Sequence, residues 1–280
     1  MLAWFDVHER PLPWRSSTPW GVFVSEFMLQ QTPVDRVQPV WVEWMDRWPR
    51  PADLAAVPLS DALRAWGRLG YPRRAKRLHE SAAMIVEKHR GEVPDDESDL
   101  LALPGVGAYT AAALRAFAFG QRAIVMDTNV RRVLARTLDG RAVAPAHITA
   151  QEHSRADAVW PHAERRAARW SAAVMELGAL VCTSRRPACE GCPVAVHCTW
   201  TALGQPADSS TPRRQAAYDG SDRQARGHLL SVLRDRSGPA RSLDLLKGWP
   251  DPEQARRALQ SLIADGLVTE SGKGRYALAG

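Results

Sequence analysis

The 280-residue chain has only four cysteines, and all of them lie between positions 182 and 198. Their spacing is C-x6-C-x2-C-x5-C, formed by Cys182, Cys189, Cys192 and Cys198. So few cysteines in one short segment cannot form a disulfide framework for a chain this long, whereas four thiolates in one loop can close on a single metal site. Zinc ribbons use two separated C-x2-C pairs, and only one such pair is present. The spacing therefore predicts a metal-binding loop, with zinc and an iron–sulfur cluster as the alternatives.

The composition favours a polyanionic partner and excludes a membrane protein. The formal net charge is +6 at pH 7, and hydrophobic residues make up 45% of the chain. No apolar run reaches the roughly 18 residues that a membrane helix needs. The first residues contain no basic segment followed by an apolar core, so we expect no secretory leader. We therefore expect a cytoplasmic protein that contacts no membrane.

Helical periodicity dominates the first 200 residues, with short amphipathic stretches joined by proline and glycine turns. One stretch, "RRAKRLHESAAMIVEKHR", predicts a helix with five residues facing inward, namely Ala75, Leu78, Ala82, Ile85 and Val86. Strand patterns are almost absent before residue 265. The pattern predicts an all-α fold, and most of the eleven tryptophans fall on its apolar stripes, where core packing is their expected role.

The last third of the chain changes character. Residues 204–223 are polar and rich in Pro, Gly and Ser, as is typical of a linker. Residues 224–280 then show three helical stretches followed by an alternating segment around a glycine turn, which is the order of a winged helix. Asp251 is the predicted N-cap of the third helix, before Pro252. The expected core of this small domain consists of Leu229, Leu230, Leu233, Leu259 and Leu262.

A single acid interrupts the apolar stretch "VFVSEFMLQQT". Glu26 is either exposed on a helix surface, where it has no special role, or buried, where an unpaired charge is unfavourable by several kcal/mol. A buried carboxyl group commonly holds its proton near neutral pH and takes part in acid–base chemistry. This stretch alone leaves both interpretations open.

Two further motifs belong to turns that precede helices. In "LPGVGAYTAAAL", Gly105 and Gly107 predict either a tight helical hairpin or a turn whose backbone amides bind phosphates at a helix N-terminus. In "VMDTNVRRVLAR", Asp127 is a good helix N-cap. An N-cap carboxylate that faces a cleft can also serve in catalysis.

These motifs occur in the order found in the helix–hairpin–helix DNA glycosylases with an iron–sulfur loop, which residues 3–202 resemble. Within that superfamily the chain resembles the adenine DNA glycosylase (MutY) family through "LPWR", "SEFMLQQT", "LGY", "LPGVGAYTA", "DTNVRRVLAR" and "MELGALVCTSRRPACEGCP". The resemblance implies a two-lobed fold, with a six-helix lobe at about 18–127, a cluster lobe from 1–17 and 128–203, the linker at 204–223 and the winged-helix-like domain at 224–280. It also implies a [4Fe–4S] cluster rather than zinc.

The resemblance implies removal of adenine by two carboxyl groups. Glu26 corresponds to the general acid that protonates adenine, and Asp127 corresponds to the ionised group that stabilises the sugar cation. Tyr109 occupies the position at which the strand-cleaving relatives carry a nucleophilic lysine, so a monofunctional enzyme is implied. Asn129 is a weaker candidate for orienting Asp127 or the water.

The implied partner is double-stranded DNA with adenine opposite 8-oxoguanine or guanine. The resemblance therefore also implies a nucleoid-associated protein, which we expect to act as a monomer. The resemblance places four residues at the lesion opposite the adenine: Gln31, Thr32, Leu69 and Tyr71. Trp14 and Arg15 are suited to line the adenine pocket, and Gly105 and Gly107 are suited to phosphates. We expect no counterpart of the family's Nudix-like carboxy-terminal domain, and the tail is open to either DNA or a protein partner. The alternatives are a thymine or uracil mismatch glycosylase and, from another class, a DNA-binding iron–sulfur regulator.

Overall fold

The structure, a computed structural model, describes residues 1–207 and 217–280. The middle of the predicted linker, residues 208–216, lies outside the described residues. The chain forms two compact units. The first contains Met1–Val22, Asp95–Ala102 and the described part of Val106–Arg213, and the second contains Phe23–Pro94, Leu103–Gly105 and the described part of Arg214–Gly280. No helix in the described ranges is long and apolar enough to cross a bilayer.

The first unit is helical. Its helices are α1 (Leu2–His8), α7 (Glu97–Ala102), α8 (Ala108–Phe117), α9 (Thr128–Thr137), α10 (Ala150–Val159), α11 (Glu164–Leu180) and α12 (Thr199–Ala202). Short 3₁₀ helices cover Pro13–Ser16, Cys189–Gly191 and Ala195–His197. The core of this unit lies where α9 and α10 pack against α11, around Val130, Trp160, Val174 and Leu177. Burial of such side chains contributes about 1.5–3 kcal/mol each.

The second unit begins inside α2 (Pro19–Leu29), which starts in the first unit. It continues with α3 (Val34–Arg47), α4 (Pro51–Ala55), α5 (Leu59–Trp66) and α6 (Arg73–Lys88). Two fully buried tryptophans, Trp44 and Trp66, meet edge to face with ring centroids 5.6 Å apart.

Across both units, the prediction that tryptophans lie in the core is confirmed for eight of the eleven. All eight are under 9% exposed: Trp14, Trp20, Trp41, Trp44, Trp48, Trp66, Trp160 and Trp200.

The predicted inward face of α6 is confirmed for Ala75, Leu78, Ala82 and Ile85, each of which is fully buried. It is wrong for Val86, which is 39% exposed. Val86 follows Ile85 directly, and the rotation of about 100° per residue carries its side chain past the edge of the buried stripe.

The tail has the helix and strand order of a winged helix. Its elements are α13 (Asp222–Arg234), β1 (Ala240–Arg241), α14 (Ser242–Leu246), α15 (Pro252–Ala264), β2 (Val268–Gly272) and β3 (Arg275–Leu278), with the antiparallel strand order β1–β3–β2. The predicted N-cap is confirmed, because Asp251 accepts hydrogen bonds from the Glu253 and Gln254 amides. All five predicted core leucines are 3% exposed or less. Sequence reasoning missed β1, because two residues are too few to show alternation.

Within the second unit, the tail contacts the start of α6. Lys76 Nζ donates to the Asp265 carbonyl at 2.9 Å, and Arg73 Nε lies 3.2 Å from the Asp265 carboxylate. A further hydrogen bond joins the Arg64 guanidinium to the Arg236 carbonyl at 3.2 Å. These contacts attach the tail to α5 and α6 through polar groups. The domain boundaries proposed from the sequence remain a prediction.

Candidate active site and iron–sulfur loop

Glu26 is buried on α2. Glu26 is only 6% exposed, and its neighbours Phe23, Ser25, Phe27 and Met28 are 1% exposed or less. The rings of Phe23 and Phe27 stack with centroids 5.0 Å apart; Phe23 lies three residues before the acid and Phe27 directly follows it. The alternative of a solvated surface glutamate is therefore wrong.

Asp127 caps α9, as the sequence predicts. Its Oδ1 accepts the Val130 amide at 2.6 Å, and its Oδ2 accepts Asn129 Nδ2 at 2.8 Å. Burial raises the pKa of Asp127 above the ordinary aspartate range, while these hydrogen bonds and the charge of Arg132 oppose the rise. Asn129 thus orients Asp127, which was one of its two predicted roles.

A second network links this cap to the cysteine loop. The guanidinium of Arg132 donates to Asn129 Oδ1, to the Gly178 carbonyl and to the Cys182 carbonyl, each at 2.7 Å. Gly178 has no room for a side chain, because an added Cβ would lie 2.7 Å from Asn129 Cβ. The orientation of Asp127 therefore depends on the backbone at Cys182 through two intermediate side chains.

The turn before α8 requires glycine at one position. Gly105 has φ +83°, and an added Cβ would lie 2.8 Å from Arg77 Cβ and 3.0 Å from the Phe27 ring. Gly107 is the N-cap residue of α8. Both glycines are exposed, so the amides at the start of α8 are available to an anion such as a phosphate. Tyr109, in the first turn of α8, is half-buried and packs beside Ala113.

The four predicted lesion residues fall into two pairs. Thr32 and Leu69 are 6% and 3% exposed, and the Thr32 hydroxyl donates to the Leu69 carbonyl at 3.2 Å. Gln31 and Tyr71 are exposed, and both have left-handed backbones, with φ of 57° and 47°. The buried pair supports the two loops, and the exposed pair is accessible to DNA.

The "LPWR" segment is tied to α11. Trp14 is 6% exposed, and Arg15 donates to the Arg10 carbonyl at 2.6 Å and to Glu176 at 3.0 Å. Glu176, which is 1% exposed, also accepts three hydrogen bonds from the backbone and guanidinium of Arg10. Burial by itself raises the pKa of Glu176, but the two arginines outweigh it and hold that pKa below the ordinary range.

The four cysteines surround one cavity, which Val133, Arg136 and Leu177 also line. Burial and the neighbouring thiols raise the pKa of Cys192. Arg136 lies beside the loop, with Nη1 3.4 Å from Cys182 Sγ and 2.8 Å from the Thr183 carbonyl. Within the described ranges, no three or more His, Cys, Asp or Glu side chains are placed so that they could hold a single metal ion. The four thiols around one cavity nevertheless fit a cluster with four cysteine ligands.

Comparison with known proteins identifies the family. The profile of the HhH-GPD superfamily of base excision DNA repair proteins matches residues 24–155. The profile of the iron–sulfur binding domain of endonuclease III matches residues 182–198. The adenine DNA glycosylase of Mycobacterium tuberculosis is 51% identical over 283 residues, covering 100% of this chain and 92% of that protein. This chain belongs to the adenine DNA glycosylase family.

A second adenine DNA glycosylase, from Mycolicibacterium smegmatis, is 50% identical over 100% of this chain and 95% of its own length. Among solved structures, a thermostable thymine-DNA glycosylase superposes with a TM-score of 0.64 at 26% identity, covering 72% of this chain and 93% of that one. The predicted helix–hairpin–helix glycosylase fold is therefore confirmed. The profile match at 182–198 also decides the metal: in this adenine DNA glycosylase family member the matched segment holds a [4Fe–4S] cluster.

In this member of the adenine DNA glycosylase family, Asn129 was predicted from the sequence as a partner of Asp127. The sequence did not predict that Arg132 would join this network or that Glu176 would bind Arg15. A signal for Glu176 was present, since it is the one acid in the apolar segment "AAVMELGAL", just as Glu26 is in its own segment. Arg132 carried no such signal, because it occurs in a row of basic residues that reads as a solvated helix face.

We expect the purified protein to be brown and to contain about four irons per chain. When bound, the cluster supplies a rigid support for its loop, since hydrolysis of a glycosidic bond transfers no electrons. Metal analysis of the freshly purified protein, with zinc measured in the same samples, checks this expectation. A colourless, active protein with one tightly held zinc would contradict it.

Proposed function

We propose that this chain is a monofunctional DNA glycosylase that removes adenine mispaired with 8-oxoguanine or guanine, in base excision repair. The observation that carries the proposal is the burial of Glu26 together with the capping geometry of Asp127. Glu26 is 6% exposed in an apolar stretch of α2, and Asp127 accepts hydrogen bonds from Val130 and Asn129 at the start of α9. The similarity to adenine DNA glycosylases along the whole chain supports adenine as the base that is removed.

In this proposal the two acids have opposite protonation states. Glu26 keeps its proton in apolar surroundings and donates it to N7 of adenine, so that the base leaves as a neutral group. Asp127 stays ionised, because its amide donors stabilise the anion, and its charge stabilises the oxocarbenium-like sugar. Glu26, once deprotonated, helps to deliver the attacking water.

The base must leave the duplex before the acids can act on it, which costs a few kcal/mol and costs least at a mispair. The exposed Gln31 and Tyr71 are proposed to contact the opposite base and fill the gap. Trp14 is proposed to line the adenine pocket, with Arg15 acting through Glu176. The chain is proposed to work as a cytoplasmic monomer on double-stranded DNA, with Gly105 and Gly107 at a phosphate.

A thymine or uracil mismatch glycosylase is the second candidate, and the superposition with a thymine-DNA glycosylase favours it over a DNA-binding regulator. One assay separates the three functions: base release from duplexes that contain A·8-oxoguanine, A·G, T·G or U·G. We expect adenine release from the first two only. Release of thymine or uracil alone would establish the second candidate, and tight binding without release of any base would favour the regulator.

We expect base release without strand cleavage. Tyr109 stands on the first turn of α8, and a phenol cannot form the Schiff base through which a lysine amine cleaves the strand. Borohydride trapping with A·8-oxoguanine DNA should yield no covalent adduct. The Tyr109→Lys variant is the matched positive control, because it places an amine at the same position. A strong adduct with the unmodified chain would contradict the monofunctional proposal.

We propose that residues 224–280 form an accessory DNA-contacting domain. Some of its basic groups form ion pairs within the domain: Arg226 pairs with Asp265, and Arg256 pairs with Glu253. Arg234 is half-buried, and this burial lowers its pKa. The exposed cations of the domain include Arg257, Lys273 and Arg275.

Replacing Arg257, Lys273 and Arg275 together with glutamine should weaken DNA binding. It should also reduce the slope of log affinity against log salt by up to about 0.9 for each lost phosphate contact. Titrations over a salt series measure this slope, and single-turnover excision at saturating protein should not change. An unchanged slope would instead favour a protein partner for this surface.

A further inference from the structure

Arg74, on the first turn of α6, is a buried cation that is only 8% exposed. Its Nη1 donates to three carbonyls, those of Phe27 (2.8 Å), Met28 (2.9 Å) and Gln30 (2.6 Å). Its Nη2 donates to the Thr32 hydroxyl (2.9 Å) and the carbonyls of Leu69 (3.3 Å) and Gly70 (3.1 Å). One guanidinium thus bridges two segments of the second unit, the end of α2 and the turn before α6.

The first segment needs a donor of this kind. The last carbonyls of a helix have no partner within the helix, and a cation at that end also offsets the helix dipole. Arg74 supplies both at the C-terminus of α2. Its charge also lies 5.2 Å from the Trp66 ring centroid and 5.4 Å from that of Tyr71. Burial lowers the pKa of Arg74 to about 10, so the guanidinium remains charged at neutral pH.

Both segments continue directly into a residue in a left-handed conformation. Gln31 follows Gln30 with φ 57°, and Tyr71 follows Gly70 with φ 47°. Such a conformation is unfavourable for a residue other than glycine, and it persists only where neighbouring contacts impose it. Arg74 donates to the carbonyl of the residue immediately before each of these positions, Gln30 and Gly70, and also to the hydroxyl of Thr32, which directly follows Gln31.

We propose that Arg74 is a positioning residue that holds the exposed Gln31 and Tyr71 side chains as a preformed pair for insertion into mispaired DNA. The inference rests on the proposed function and deepens it, because it assigns extrusion of the base to these two loops. Preformed insertion groups avoid the ordering cost that two mobile loops would incur on binding. The role requires arginine, because a lysine ammonium has three donors at one point and cannot span both segments.

The test measures extrusion apart from bond cleavage. In the Glu26→Gln background, DNA with 2-aminopurine at the adenine position opposite 8-oxoguanine gains fluorescence when that base unstacks. We expect Glu26→Gln/Arg74→Lys to bind this DNA at saturating protein but to lose most of the fluorescence gain. With Glu26 intact, we expect Arg74→Lys to lower single-turnover adenine release about 100-fold, as misplacement by about 1 Å can do.

Two further variants guard against a general loss of stability. Ile85→Val, in the fully buried face of the same helix, removes one methylene group from the core about three helical turns from Arg74 and lowers stability modestly. It should keep the full fluorescence gain. Thr32→Val removes only one acceptor of Arg74 and should give an intermediate loss, so the test remains decisive if Arg74→Lys does not fold.

Full fluorescence gain in the Arg74→Lys or Thr32→Val variant would overturn the proposal. Equal losses in the Ile85→Val variant would do so as well, because Arg74 would then act only through stability. If the unmodified chain releases no adenine, the proposed function fails by itself. The fluorescence comparison would still report whether Arg74 governs extrusion of a mispaired base.

Discussion

We expect the Glu26→Gln variant to bind mispaired DNA and to lose adenine release by about 10²–10⁴-fold, the usual contribution of a general acid. Glutamine preserves the size of the side chain among Phe23, Phe27 and Met28, but it has no transferable proton. The structure supports this expectation through burial, since Glu26 is 6% exposed and its apolar neighbours are 1% exposed or less.

Single-turnover excision at saturating protein measures the effect of Glu26→Gln, and a binding assay confirms that the variant still engages DNA. The matched control is Glu43→Gln, which makes the same chemical change at an exposed position of α3. That control should excise adenine at the normal rate. Near-normal excision by the Glu26→Gln variant would remove Glu26 from the proposed mechanism.

We expect the Asp127→Asn variant to lose about 10²–10³-fold in excision rate, because the charge that stabilises the sugar cation is gone. The stability of the fold should not decrease, since asparagine is also a good N-cap and can accept a hydrogen bond from the Val130 amide. Burial raises the pKa of Asp127 in the folded state. An ionised group with a raised folded pKa opposes folding at pH values above that pKa, so its neutral replacement should melt at the same or a higher temperature.

The control for this variant is Asp127→Ala, which removes both the charge and the cap and should cost about 1 kcal/mol of stability. Thermal melting and single-turnover excision, measured on both variants, separate the two roles of Asp127. The same raised pKa predicts that excision by the unmodified chain falls in acid at a higher pH than an ordinary aspartate would dictate. Equal destabilisation by Asn and Ala would contradict the assignment of a buried charge.

Local patterns in the sequence were sufficient for several elements. The periodicity of α6 identified Ala75 and Leu78 as core, and the tail's leucine pattern identified its hydrophobic centre. Asp127 and Asp251 were recognisable as caps, because an N-cap acts on amides two or three residues away. The cysteine spacing identified the metal loop, and resemblance, confirmed by the profile match, decided the cluster.

Burial at single positions depended on the tertiary structure. Glu26 could have been exposed, and only the packed structure shows that it is not. Thr32 and Leu69 were predicted at the lesion together with Gln31 and Tyr71, but only the latter two are exposed. Val86 has the apolar character of a core residue and nevertheless lies at the surface. A sequence pattern gives the direction of a side chain along its own helix, but it does not show where the neighbouring elements end.

The sequence by itself therefore determined the helices, the winged-helix order, the caps and the metal loop, all of which rest on interactions between residues close together in the chain. Only the tertiary structure decided which acceptors, distant in sequence, the arginine side chains bind. Arg15 reaches Glu176 across 161 positions, Arg132 reaches Cys182 across 50, and Arg74 reaches Phe27 across 47. Long arginine side chains bind whichever acceptors the packed backbone brings within about 3 Å, and no local spacing encodes that proximity.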